Sequence, residues 1–220
     1  INASTCSPGR ILRAYVAGGG ALWVSGQLVF AAFAVAPNTM CRSNLSYEFG
    51  AGGVGINYMG GDFPCDFMQV CGGAFMNVRT NTNVNGLAGV DASGEGAQLG
   101  FRALEIDRTV FTTGSIGLTD AMFTPTFDVT GGLDTLFTHR APIATSGMHG
   151  KVNAFRYHDP DPIPDQGPVA IFGFPLFFLQ PGSVESQTGT FHTARLMIDW
   201  LRSEQQRYFL THSAAGHGRN

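Results

Sequence analysis

Ser25 and His192 are the residues of this sequence that could serve as a nucleophile and its base. Ser25 ends the apolar run 21-ALWVS-25 and is followed by a glycine, so it occupies a turn directly after a predicted strand. A serine hydroxyl becomes a nucleophile only when a base lies within hydrogen-bonding reach. His192, near the start of the last predicted helix, is the best candidate base. Three aspartates would be available to orient its imidazole: Asp128, Asp134 and Asp199.

The residues around Ser25 do not match the nucleophile turn of α/β-hydrolases. The stretch 23-WVSGQ-27 departs from G-x-S-x-G, because Trp23 occupies the first glycine position. The alternative interpretation is structural: Ser25 and Gly26 turn the backbone, while Thr190 and His192 cap a helix. We favour this interpretation, and we expect no catalytic residues.

Three glycines, 18-GGG-20, precede the strand that ends at Ser25. Phosphate-binding loops place their glycines after a strand and before a helix, whereas these follow a predicted helix and precede a strand. We therefore expect the glycines to end the helix with a positive φ, and we predict no cofactor.

The acidic stretch 159-DPDPIPD-165 has oxygen ligands of the kind that calcium prefers. Its alternating prolines favour an extended backbone over the wrap of a calcium loop. We therefore predict no metal site, and Asp159, Asp161 and Asp165 remain the alternative ligand set.

Four cysteines lie in the first third of the chain: Cys6, Cys41, Cys65 and Cys71. None has the spacing of a zinc site. An even number of cysteines in loop-like surroundings favours two disulfides and an oxidising compartment over buried free thiols. Cys65 and Cys71 could close a small loop, which would leave Cys6 with Cys41.

The composition excludes two classes of function. The formal charge is −3 and Lys151 is the only lysine, so the chain lacks the basic face with which proteins neutralise nucleic-acid phosphates. No apolar run reaches the ~18 residues of a membrane-spanning helix. We therefore expect neither a nucleic-acid partner nor a membrane span. Because the chain opens at Ile1 without a leader pattern, we expect that an upstream portion has been removed.

The order of predicted elements indicates an α/β domain over residues 1–210, followed by a polar tail at 211–220. A short helix within 8–20 leads into the apolar strand at 21–25. Residues 50–100 are rich in glycine and asparagine and are predicted to be a loop-rich insertion with few regular elements.

Three more strands and a closing helix are predicted after the insertion. The segments 101–107 and 151–158 alternate, which favours edge or antiparallel strands, whereas 168–179 is continuously apolar and should be central. The closing helix, at about 189–209, places Ala194, Ile198 and Leu201 on one face.

These pieces together resemble a glutamine-amidotransferase-like domain, of the kind found near the C-termini of large secreted bacterial surface proteins and peptidases. The segments that carry the resemblance are 11-ILRAYVAGGGALWVSGQ-27, 86-GLAGVDASGEGAQL-99 and 168-PVAIFGFPLFFL-179 with the helix that follows. The resemblance implies a flavodoxin-like sheet that lacks its first strands, since only ten residues precede 11-ILRAYV-16. If those strands belong to another polypeptide or a removed segment, Leu22, Val24, Val169 and Ile171 would need a partner to cover them.

The same resemblance implies that the catalytic residues have been lost. Catalytic members of the family have a cysteine nucleophile at the position of Ser25. Their histidine lies in a His-Pro-Glu motif, at the position of Phe174-Pro175-Leu176 here.

The sequence thus predicts a non-catalytic structural or interaction module of a secreted or cell-surface bacterial assembly. Its expected partner is another protein chain or the upstream part of its own precursor. One alternative is a secreted serine hydrolase or peptidase-associated domain that uses Ser25 and His192. Another is a carbohydrate- or calcium-binding module that uses the insertion at 50–100.

Overall fold

We describe a computed structural model of the 220-residue chain. It describes residues 14–26, 45–50, 53–58, 75–78, 87–107, 109–110, 125–127, 133–146, 149–157 and 159–217. For 45–50, 53–58, 75–78 and 125–127 only the backbone is considered below.

The described residues form one mixed sheet with helices, so the protein belongs to the α/β class. The strands are β1 Leu22–Ser25, β2 Leu45–Gly50, β3 Gly53–Tyr58, β4 Phe75–Val78, β5 Gly89–Ala92, β6 Leu104–Glu105, β7 Pro125–Phe127, β8 Asp134–Arg140, β9 Val152–Tyr157 and β10 Val169–Phe172. The helices are α1 Gly94–Gln98 and α2 Gly189–His217, with a 3-10 turn at Leu176–Phe178 and a helical turn at 14–17.

The main path of the sheet runs β2-β3-β4-β7-β9-β8-β5-β6, and β10 pairs with β9 and with β1. Among the described pairings only β1 with β10 is parallel, in the register Leu22 opposite Val169 and Ser25 opposite Phe172. The others are antiparallel. A flavodoxin-like sheet is largely parallel. The described pairings therefore do not confirm the flavodoxin-like part of the fold prediction.

The apolar strand within 168–179 is central, as predicted. All four residues of β10 are buried, and it lies between β9 and β1. Val169 and Ile171 are 1% and 0% exposed, so the expectation that these two need a partner to cover them is wrong. In β1, Leu22 and Val24 remain partly exposed.

The structure corrects several other expectations from the sequence. The strand predicted at 151–158 is antiparallel as expected, but β9 is interior and nearly all its residues are buried. Only Leu104–Glu105 of 101–107 forms a strand. The range 50–100 contains β3, β4, β5 and α1 where few regular elements were expected, and β8 was not predicted.

The core is built around a group of phenylalanines. The ring of Phe137 stacks on Phe101 at 5.1 Å and meets Phe172 and Phe174 edge-on at 5.6 and 5.8 Å. These arrangements are the ones that aromatic quadrupoles favour. The cluster joins the sheet to the 3-10 turn and to one face of α2.

The buried face of α2 differs from the predicted one. Thr190, Thr193, Met197 and Leu201 are buried, and their spacing of three or four residues matches the helical repeat. Ile198 is 41% exposed because it lies outside this stripe. The helix also continues to His217, so the tail expected from residue 211 is helical for its first seven residues. Within the described residues, no helix has the length and apolarity needed to cross a membrane.

Candidate functional site

The turn after β1 lies against the segment that follows β10. The parallel pairing brings the carboxyl ends of β1 and β10 together, and the Gly26 amide donates to the Phe172 carbonyl at 3.1 Å. The Ser25 hydroxyl donates to the Phe174 carbonyl at 2.6 Å. The two positions that the resemblance paired, Ser25 and Phe174-Pro175-Leu176, are therefore neighbours in the fold.

This hydrogen bond commits the only proton of the Ser25 hydroxyl. A backbone carbonyl accepts a hydrogen bond, but it cannot take the proton as a general base would. Phe174 is fully buried, so its carbonyl is fixed by the core around it. As arranged here, the hydroxyl joins two segments of backbone and is not activated.

His192, the candidate base, lies in the first turn of α2 and is half-buried. In the described part of the chain no hydrogen bond joins it to Ser25. The first amides of the helix are accepted by main-chain carbonyls, since Thr190 donates to Gln180 and Phe191 donates to Pro181, each at 3.0 Å. The expectation that Thr190 and His192 cap the helix with their side chains is therefore wrong.

The aspartates proposed to orient His192 have other partners. Asp134 accepts a hydrogen bond from Arg156 Nε at 2.9 Å. Asp199 lies 3.6 Å from Arg195 Nε, one helical turn away on the exposed side of α2. Asp128 lies outside the described residues. Among the described residues, the serine, the histidine and an aspartate are thus not joined into a triad by hydrogen bonds.

The glycine turn ends the helical turn at 14–17 as predicted. Gly19 has a φ of 83°, its amide donates to Val16, and the Gly20 amide donates to Tyr15. These two bonds form a Schellman motif, in which a glycine takes the left-handed conformation without steric penalty.

Helix α2 fastens this glycine turn from the side. Tyr208 Oη donates to the Ala17 carbonyl at 3.0 Å, and Gln205 Nε2 donates to the Gly19 carbonyl at 3.2 Å. Side chains thus satisfy two carbonyls that the end of the helical turn leaves free. The glycines have a structural explanation that involves no phosphate.

The acidic stretch 159–165 forms a loop held closed by one carboxylate. Asp159 accepts from the Asp161 amide at 3.0 Å through Oδ1 and from the Asp165 amide at 2.9 Å through Oδ2. Arg207 of α2 donates to the Asp159 and Asp161 carbonyls. The described residues contain no group of three metal-ligating side chains, and Asp159 acts as the acceptor that organises this turn.

The same acidic loop affects a neighbouring tyrosine. Burial, followed by the negative charges of Asp159, Asp161 and Asp165, raises the pKa of Tyr157 above its ordinary value of 10.0. Both causes disfavour the phenolate, because it would be charged in a poorly solvated and already negative place.

Sequence reasoning did not single out one buried charge. Arg156 of β9 is 7% exposed, and its guanidinium lies between Asp134 of β8, Glu95 of α1 and the Trp200 ring of α2. The signal in the sequence was an arginine between Phe155 and Tyr157 in 151-KVNAFRYH-158. The alternation of this segment favoured an edge or antiparallel strand, whereas β9 is covered on both faces.

The four cysteines of the disulfide prediction lie outside the described part of the chain: Cys6, Cys41, Cys65 and Cys71. The disulfide prediction therefore stays a prediction.

Compared with known proteins, the chain matches no family model, no curated protein and no solved structure. The amidotransferase-like resemblance therefore rests on the residues quoted for it above.

Proposed function

We propose that this chain is a non-catalytic interaction module of a secreted or cell-surface bacterial assembly, with a degenerate amidotransferase-like site. The observation that carries the proposal is the 2.6 Å hydrogen bond from the Ser25 hydroxyl to the Phe174 carbonyl. The position at which catalytic relatives would have a nucleophile is used here to hold the ends of two strands together. The flavodoxin-like architecture and the extracellular location belong to the same proposal.

The position of β1 at an edge of the sheet, as far as the described strands go, supports an interaction role. Among the described strands, β1 has one neighbour, β10. Leu22 and Gly26 donate to Pro168 and Phe172 of that neighbour, so the main-chain groups of Trp23 and Ser25 point to the opposite side. Strands usually protect such an edge with charged residues or proline, and 22-LWVS-25 contains neither.

We infer that the partner adds an extended strand beside β1, which would also cover the partly exposed Leu22 and Val24. This partner is another chain or the upstream part of the same precursor. The low charge of the chain, with 13% charged residues, is consistent with a surface that is partly covered in the assembly.

The non-catalytic part of the proposal is tested by the reactivity of Ser25. The protein is incubated with a fluorophosphonate probe, which labels activated serines, and the product is measured by intact mass and peptide mapping. We expect no labelled peptide containing Ser25 in the wild type or in His192→Ala, because within the described residues the hydroxyl donates to a backbone carbonyl and no base is hydrogen-bonded to it. Labelling of Ser25 that disappears in His192→Ala would establish the serine hydrolase alternative instead.

A further inference from the structure

Helix α2 has a line of exposed side chains outside its buried stripe. This outer stripe consists of Phe191, Ile198, Arg202 and Phe209, all of which are exposed. Phe191 is 60% exposed, Phe209 49% and Ile198 41%. Because an α-helix has about 3.6 residues per turn, spacings of seven, four and seven residues keep the four side chains on one side of α2. Large apolar side chains grouped on a surface are typical of a contact with another protein.

The outer stripe is symmetric about residue 200. Its spacings read the same in both directions, with Phe191 as far from the centre as Phe209, and Ile198 as far as Arg202. A two-fold axis perpendicular to the helix brings two copies of α2 together antiparallel and sets equidistant residues opposite each other. Phe191 then lies opposite Phe209 of the second copy, and Ile198 lies opposite the aliphatic part of Arg202.

We propose that the outer stripe is the contact between two copies of this chain in an antiparallel dimer. Charge complementarity supports this arrangement. Asp199 lies beside Ile198 on α2, and its side chain is 58% exposed, 3.6 Å from Arg195 of its own chain. Across the two-fold axis the carboxylate reaches Arg202 of the second copy, so each dimer has two such ion pairs. A parallel pair would instead place Arg202 beside Arg202 and Asp199 beside Asp199, and like charges repel.

A shallow groove beside Phe209 has room for a ring from the second copy. Its volume is about 340 Å³, and the described residues that line it are Arg202, Gln205, Gln206, Phe209, Leu210 and Ser213. Leu210 is 62% exposed, so the groove has an apolar wall. Phe191 of the second copy lies opposite Phe209 and fills this groove. The two-fold axis repeats the contact, so a dimer has two aromatic pairs of the kind that stabilise interfaces.

This dimer is independent of the interaction proposed for β1. It consists of identical chains, so a mass of twice the chain distinguishes it from a complex with a different chain at β1. Ser25→Pro, which is expected to disrupt a contact at β1, should leave the dimer unchanged.

The test is sedimentation equilibrium of the purified full chain over a range of concentrations. The outer stripe spans about 27 Å, at 1.5 Å per residue, and buries less than the ~800 Å² per partner of a standard interface. We therefore expect a reversible dimer with a Kd in the micromolar range, measured between about 1 μM and about 1 mM. Electrophoresis without reducing agent shows whether any dimer is linked by a disulfide.

Two substitutions of apolar residues test whether the dimer uses the outer stripe. Phe191→Ala should raise the Kd about tenfold or more, because the dimer loses the ring from both grooves. Ile198→Ala should also raise the Kd. Ile143→Ala is the matched control, since Ile143 is 47% exposed but lies in the turn after β8, and it should leave the Kd unchanged. All three side chains are exposed, so circular dichroism should show an unchanged fold.

Two charge reversals test the antiparallel pairing. Asp199→Lys and Arg202→Glu should each raise the Kd about tenfold, because two attractions become two repulsions. The double variant Asp199→Lys/Arg202→Glu restores opposite charges across the two-fold axis, so most of the affinity should return. Neither a parallel dimer nor damage to the helix would produce this rescue.

Three results would overturn the proposal. The first is a monomer at every concentration, which would leave the outer stripe to a different protein. The second is a dimer with the same Kd in Phe191→Ala as in the wild type. The third is a double variant that dimerises no more tightly than either single charge reversal.

Discussion

At the scale of single residues, the protein uses groups that resemble catalytic ones to hold its backbone together. The Ser25 hydroxyl donates to the Phe174 carbonyl, and the Asp159 carboxylate accepts two amides of its own loop. Each group has its hydrogen-bonding capacity directed at the main chain. A substitution at either position should therefore change stability.

Ser25→Ala is expected to lower the free energy of unfolding by about 0.5–1.5 kcal/mol, the usual net contribution of one hydrogen bond. The site is partly buried, so a value in the lower half of this range is expected. Denaturant unfolding of the two proteins gives the difference. An unchanged midpoint would mean that the bond to Phe174 does not form in solution.

Tyr157 should make the protein sensitive to alkali. An unfolded tyrosine ionises near its ordinary pKa of 10.0, whereas burial and the acidic loop hold the pKa of folded Tyr157 higher. Well below pH 10.0, Tyr157 is protonated in both the folded and the unfolded protein, so it does not affect how stability depends on pH. As the pH rises from the unfolded pKa towards the folded pKa, the unfolded state loses a proton that the folded state retains, so stability falls.

Tyr157→Phe removes this ionisation, so its Tm should fall less than that of the wild type between pH 9 and about pH 11. The other tyrosines are common to both proteins, and the difference between the two curves isolates Tyr157. Parallel Tm curves would contradict the proposed environment of the phenol.

At the scale of elements, helix α2 contacts the core, the glycine turn and the acidic loop. Its buried stripe packs on the core, Tyr208 and Gln205 hold the glycine turn, and Arg207 holds the acidic loop. The turn before β1 and the loop before β10 are therefore tied to the same helix. A substitution in the glycine turn should therefore also disturb its contact with α2 and lower stability.

Gly19→Ala should be among the more destabilising single substitutions in the described chain. A Cβ at this position would lie 2.2 Å from the Tyr208 ring, and the φ of 83° is unfavourable for alanine by about 1–2 kcal/mol. Gly150→Ala is a matched control, since its φ is 76° but nothing lies within 4 Å of the added atom.

Urea unfolding of both variants separates the two effects. Gly150→Ala should show the backbone penalty alone, and Gly19→Ala should show a clearly larger loss. Equal losses would mean that Tyr208 does not pack on the glycine turn.

The elements differed in how well the sequence predicted them, for physical reasons. The strand at β10 and the glycine end of the first helix were predicted because a continuous apolar run and a positive-φ glycine are local signals. Strand β8 was missed because only Leu136 and Phe137 are apolar in 134-DTLFTHR-140, and its pairing with β5 and β9 is not local. Ile198 was assigned to the buried face from spacing alone, whereas Thr190 and Thr193 take that face.

The candidate sites also differed in how well the sequence predicted them. The resemblance named Ser25 and Phe174-Pro175-Leu176 as matching positions without predicting a contact, and in the structure the Ser25 hydroxyl donates to the Phe174 carbonyl. The ion pairs of Arg156 were missed because Glu95, Asp134 and Arg156 come from three distant parts of the chain. Their spacing in the sequence does not indicate that they are in contact.

At the scale of the whole molecule, the proposed interaction depends on the outer edge of β1. The described strand has one neighbour, and the Ser25 amide points away from it. A strand added by a partner would need that amide as a donor. Two substitutions at one position therefore separate the roles of the amide and the hydroxyl.

The most direct measurement is native mass spectrometry of the protein purified from the organism that produces it, as wild type, Ser25→Ala and Ser25→Pro. Proline removes both the outward amide and the hydroxyl, whereas alanine removes the hydroxyl alone, so Ser25→Ala is the control that keeps the amide. We expect a complex with a second chain or precursor fragment in the wild type and in Ser25→Ala, and its loss in a folded Ser25→Pro. A single uncomplexed chain in the wild type, or a complex of this kind that survives Ser25→Pro unchanged, would contradict the proposed interaction.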